Sequence, residues 1–147
     1  MRELEHFLLK GDIRKYAKDT NLQKTLLKAC HDRLLFIQSL AVTEQNARFI
    51  LEEVFNCIID GINANIVAEG FLSESDEASL AFLQKYSQKV AKTDMDFLER
   101  LLKTRDSVRK YGNPVNIIDA KQTVVFARRL VPQLKGLSQS QQFYRLE

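Results

Sequence analysis

The chain has 147 residues, 45% apolar and 28% charged, with a net charge of +3. That suffices for one domain with a real core, is too short for two ordinary ones, and excludes a disordered chain. Five glycines and two prolines leave few forced turns, which favours helices over a many-turned β architecture.

The N-terminal stretch MRELEHFLLKGD carries acids ahead of its short apolar patch and has no small-residue cleavage site, so it does not read as a signal peptide. No apolar run approaches the roughly 18 residues of a membrane span. The expected location is the cytoplasm, with no membrane partner. Residues 2–9 predict a short helix, and GDIRKYAKD a turn or second short helix. The first long helix is predicted from about Asn21 to Leu40, with Leu22, Leu26, Ala29, Leu34 and Ile37 as its stripe and Thr20 or Asn21 as its cap.

Thr43 caps the next long helix, which runs to Gly70. Ala47, Ile50, Leu51, Val54, Ile58, Ile62 and Ile66 recur at helical spacing. Phe49, Phe55, Ile59 and Val67 fall outside that stripe. A helix apolar on more than one side is central in a bundle or also faces a second subunit, which hints at a homodimer. FLSESDE reads as a loop into a helix from about Ser75 to Tyr86. TDMDFLERLLKTRDSVRKY reads as a helix capped by Thr93 and stopped by Gly112-Asn113-Pro114. The last helix runs from Asn116 or Ile117 to Leu134, where Pro132 kinks or truncates its final turn. No strand pattern or fixed-period repeat is present. The fold class is all-α: an antiparallel bundle of four to five long helices plus the short N-terminal one. Residues 1–135 form the single domain, and 136–147 a polar tail expected to fray.

Cys30 and Cys57 sit within helical patterns and read as buried small hydrophobes. His6 and His31 have no metal-ligand spacing, and neither a metal nor a cofactor is expected. Charge is unevenly placed. Residues 44–80 hold one Arg and eight acids; residues 100–147 hold ten Lys or Arg and three acids. Such blocks can dock on each other within one fold, pair two copies, or offer the basic half to an anionic ligand. Lys121, Arg128 and Arg129 read as a solvated face of the last helix.

The stretch RDSVRKYGNP (105–114) carries three cations at a helix end. Successive helical residues turn by about 100°. With Leu98 as reference, Met95, Leu101, Leu102 and Val108 share one apolar sector. Arg105 falls in its middle and Arg109 near it, while Asp106, Lys103 and Lys110 point to solvent. A buried arginine needs an exit to water, an internal carboxylate or an external phosphate. The best-placed internal carboxylate is Glu69, on the stripe of the 43–70 helix.

The order of these elements resembles the HEPN domains, a family of small all-α proteins. The likeness rests on FLLKGDIRKYAKD, ACHDRLLFIQSL, ARFILEEVFNCIIDGINANIVAEGFLSES and LERLLKTRDSVRKYGNPVNIIDAKQTVVFARRLVPQLK, and covers the chain to about Lys135. The family's catalytic members are metal-independent RNases that place an Arg and, a turn or so later, a His at the end of the penultimate helix. Two subunits bring two such motifs into one cleft. Carried over, the resemblance makes Arg105 the phosphate clamp, with Arg109 and Lys110 beside it. It puts Lys110 or Tyr111 where the proton-moving His stands. Neither side chain titrates near neutrality as His does. The resemblance therefore implies a non-catalytic nucleotide- or RNA-binding domain. Its alternatives are a toxin-like RNase using Arg105 and Tyr111, and a structural, dimeric partner-docking module. A nucleotidyltransferase-type protein is the implied partner.

Overall fold

Helical periodicity and sparse breakers give six helices among the described residues. The structure, a computed structural model, describes residues 2–87 and 89–140, with side chains as far as Leu137 at the C-terminal end. The helices are α1 (Leu4–Lys10), α2 (Thr20–Ser39), α3 (Ala47–Ala68), α4 (Asp76–Tyr86), α5 (Lys92–Tyr111) and α6 (Ile117–Ser140). The all-α reading holds. The expected absence of strands does not: β1 (Ile13–Lys15) pairs antiparallel with β2 (Phe71–Ser73), Arg14 opposite Leu72. Three residues are too few to show an alternating pattern, so this pair left no periodic signal.

Caps explain where the helices start. The Asp19 carboxylate accepts from the Leu22 amide at 2.9 Å, one residue before the expected cap of α2. Thr43 and Asn46 exchange side chain-to-backbone hydrogen bonds and set a turn ahead of α3, whose N-cap is Asn46 and not the expected Thr43. Ser75 Oγ accepts from the Ala78 amide at the start of α4, and Asn116 Oδ1 from the Asp119 amide at the start of α6. Thr93 lies inside α5, whose N-cap is Ala91. At the other end Gly112 takes φ +65°, the left-handed conformation that closes a helix and that a side chain would strain.

The wide apolar face of α3 has a structural cause. Fourteen of its 22 residues are buried, including Phe55, Ile59 and Val67, because α2, α4, α5, α6 and β2 all pack on it. α3 is the central helix, and burial of each large side chain contributes about 1.5–3 kcal/mol. The width of its apolar face is thus accounted for by packing within the chain, while Phe49 stays half-exposed. Packing partners fix the directions. Cys30 and Phe36 on α2 face Cys57 and Phe49 on α3. Arg105 and Arg109 on α5 face Phe55 and Glu52 on α3. Both neighbours therefore run antiparallel to α3. Glu44 meets 114–118 at one end, and Asn65 meets Leu134 at the other, so α6 runs the same way as α3.

α6 does not stop at Leu134. It passes through Pro132 and continues to Ser140, across the expected boundary at residue 135. Pro132 is exposed, so the Arg128 carbonyl it cannot reach faces water. Residues 141–147 of the expected tail lie outside the described residues. Among the described residues no helix is long and apolar enough to cross a membrane.

Candidate functional site

Arg105 sits where its periodicity places it. It is 5% exposed, and its guanidinium carbon lies 4.3 Å from the centre of the Phe55 ring, a cation–π stack. Nη1 donates to Asp76 Oδ2, and Nη2 donates to Asp106 Oδ1 at 2.9 Å. Nε is buried with no hydrogen-bond partner. Of the three ways to accommodate the charge, an internal carboxylate is the one used.

That carboxylate is Asp76 and not Glu69. α5 runs antiparallel to α3, with Arg105 opposite Phe55. Glu69 lies fourteen residues further along, about 21 Å at 1.5 Å per residue. It ends α3 and lines a shallow groove with Lys15, Tyr16, Ala17, Gly70 and Phe71. After Gly70 the chain pairs as β2 and then turns back along α3, so that Ser79 Oγ reaches Asn63 at 2.7 Å. That reversal brings the first residue of α4 over Arg105. Asp106 is also enlisted, although the helix points it outward.

Arg109 is more exposed than its sector implied. One turn nearer the end of α5, it meets Glu52 on α3, which accepts from both Nε and Nη2. The hydrogen bond to Glu52 raises the Arg109 pKa further. Lys110 is exposed, with its ammonium 5.3 Å from the Tyr111 ring centre, and Tyr111 is 68% exposed. Tyr111 lies six residues after Arg105, about 120° away around the helix axis. Arg105, Arg109, Lys110 and Tyr111 thus share a helix end, but Arg105 is inside and Lys110 and Tyr111 are outside.

The two charge blocks meet within the fold, through Arg105–Asp76 and Arg109–Glu52. Other acids of the 44–80 block pair elsewhere: Glu53 and Asp60 with Arg33, Glu74 with Arg14, Glu77 with Arg2. On the last helix, Arg129 is not simply solvated. Its Nη1 donates to both oxygens of the buried Asp94, at 2.8 and 2.9 Å.

Topology gathers the end of α2, the start of α3, the end of α5 and the start of α6 at one end of the bundle. Phe36 and Phe49 form a T-shaped pair there, each 49% exposed. Tyr111 and Ile118 are also exposed, and a groove of about 680 Å³ is lined by Glu44 and residues 114–118. Arg48 lies beside Gly112. Sequence reasoning missed Asp76, Glu52 and Phe55 as partners of the arginines. The only available signal was the acid in the first turn of α4.

No protein-family model, curated protein or solved structure matches this chain. Its chemistry has to be read from its own residues. Among those described, no group of three or more His, Cys, Asp or Glu side chains is placed to hold a metal ion.

Proposed function

We propose that this chain is a non-catalytic, HEPN-like helical module that works by docking a second copy of itself, through the bundle end that carries Phe36, Phe49, Tyr111 and Ile118. The observation that carries this reading is the occupancy of the two arginines. Arg105 and Arg109 are both held by carboxylates of their own chain, and Arg105 is 5% exposed. A phosphate reaching Arg105 would have to displace Asp76 and Asp106 and leave them near an anion, a costly exchange in a low-dielectric site. The exposed rings at the bundle end offer apolar area of the kind interfaces bury. Exposed Glu44 and Asp119 are there with exposed Arg48 and Lys110, a balance of signs that suits a self-complementary two-fold contact.

A second reading is favoured by the Lys110–Tyr111 pair. A cation over an outward aromatic ring, with Arg48 close by, offers stacking and phosphate attraction to single-stranded RNA. In this reading Lys110, Arg48 and Tyr111 replace Arg105 as the ligand-binding groups.

Sedimentation of the pure protein, together with binding and cleavage assays on labelled single-stranded RNA, separates these readings. Docking predicts a concentration-dependent dimer that Phe36→Ser with Phe49→Ser weakens at least tenfold, with no RNA cleaved. A monomer that binds RNA, loses it in Lys110→Ala and releases it in salt supports the second reading. Cleavage abolished by Arg105→Ala sinks both.

A further inference from the structure

The seam between α2 and α3 holds two thiols that the docking end does not use. Cys30 and Cys57 are free and fully buried, with their sulfurs 3.8 Å apart. The Cys57 thiol also lies within hydrogen-bond reach of the Cys30 carbonyl, at 3.1 Å. The space around Cys30 is made by a glycine. A Cβ on Gly61 would stand 3.3 Å from Cys30 Sγ and 3.1 Å from Leu134 Cδ1. On the outer side, where α6 crosses, the Lys135 ammonium and His31 Nδ1 are 3.0 Å apart and exposed to water.

The two thiols are chemically unequal. Cys30, facing the Cys57 S–H, with Lys135 nearby, is held below the ordinary thiol value. Cys57, against the Cys30 sulfur and buried, is pushed well above it. A thiolate is the reactive form, so Cys30 is the nucleophile of the pair. Both sulfurs project from facing helices, and bonding requires them to close to about 2.05 Å. Full burial keeps bulky disulfide reagents out, but an oxidant of two heavy atoms needs only a small local opening.

We infer that Cys30 and Cys57 form an oxidation-sensitive pair whose oxidant is hydrogen peroxide, and whose product is an intramolecular disulfide stapling α2 to α3. The Cys30 thiolate attacks the peroxide. An S–O bond forms, the O–O bond breaks, and hydroxide leaves to take up the proton that Cys30 lost. Cys57 sulfur then attacks the sulfenic sulfur. The S–S bond forms, the S–O bond breaks, and the departing hydroxide takes the Cys57 proton. Two thiols are oxidised by two electrons in all, and one peroxide is reduced to two waters. This inference does not rest on the docking reading.

Intact-mass analysis and thiol titration in denaturant, after the reduced native protein is treated with hydrogen peroxide, test it. The expected product has the mass of one chain less two hydrogens, no titratable thiol, and yields a peptide joining Cys30 to Cys57. Its urea midpoint is higher than that of the reduced form. In Cys57→Ser, which keeps a hydroxyl donor facing Cys30, the reaction halts at Cys30 one oxygen heavier and is trapped by a sulfenic-acid reagent; in Cys30→Ala the thiol of Cys57 stays unoxidised in the native protein. The inference is overturned if the native protein keeps both thiols, or forms only intermolecular disulfides, while the urea-unfolded chain cross-links.

Discussion

At the scale of single residues, Arg105 is the side chain on which the site turns. Its burial was legible because a helix of fixed pitch assigns each position a direction, and position 105 lies among Leu98, Leu101 and Leu102. Its partner was not legible, because the position of Asp76 depends on how 69–75 reverses the chain. Removing Asp76 leaves a buried guanidinium with one carboxylate, on the exposed Asp106. Asp76→Ala is therefore expected to lower stability by about 1–3 kcal/mol. Arg105→Met removes the charge with its need for a partner and keeps an apolar stem over Phe55. It is expected to cost less than Asp76→Ala, since apolar replacement of a buried pair is often nearly neutral. Urea unfolding of both variants checks the order; a costlier Arg105→Met would mean that the pair itself stabilises the fold.

At the scale of elements, α2, α3 and α6 meet at Gly61. Helix propensity alone would favour a larger residue at a mid-helix glycine, so this position is set by packing. With Leu134 and Cys30 already at the limit of contact, Gly61→Val must push helices apart or force side chains off their rotamers. A loss of about 2–3 kcal/mol is expected, measured as a drop in urea midpoint with an unchanged denaturant slope. Existence of the long helices was legible from their stripes, while the starts of α3 and α5 and the end of α6 were not. Pro132 reads as a stop in sequence, yet it sits on the water-facing side of α6, where a missing hydrogen bond is tolerated. The β1–β2 pair is held by long-range register that no three-residue pattern encodes. For α3, sequence left two readings of a wide apolar face; α2, α4, α5, α6 and β2 cover most of it, and Phe49 stays half-exposed.

At the scale of the whole molecule, acids of the 44–80 block are paired with arginines from several parts of the same chain, Arg105 and Arg109 among them. Asp60 is the member of that network in conflict with its surroundings. Arg33 Nε stands 3.1 Å from its Oδ2, yet that oxygen is buried without an aligned donor. Burial raises the Asp60 pKa, Arg33 pulls it down, and Glu53 pushes it up again. A carboxyl whose folded pKa exceeds its unfolded value binds protons more tightly when folded. The fold therefore gains stability as pH falls from the raised value toward the ordinary one, and is penalised above it. Asp60→Asn removes that penalty. The variant is expected to be more stable than the wild type at pH 7, with the gap narrowing as the medium is acidified through the raised pKa. Unfolding midpoints across that range test the sign, and a gap that widens in acid refutes it.

The central place of α3 has a consequence for how the chain is made. During synthesis its apolar surface leaves the ribosome after α1, β1 and α2 but before α4, α5 and α6. The helices that cover its other sides, α5 and α6, come dozens of residues later, and β1 waits for β2 before it can pair. For that interval the most hydrophobic helix of the protein is half-clothed, in a nascent chain that cannot yet fold. Chaperone engagement is expected to concentrate there, in the interval before α4, α5 and α6 arrive to cover it.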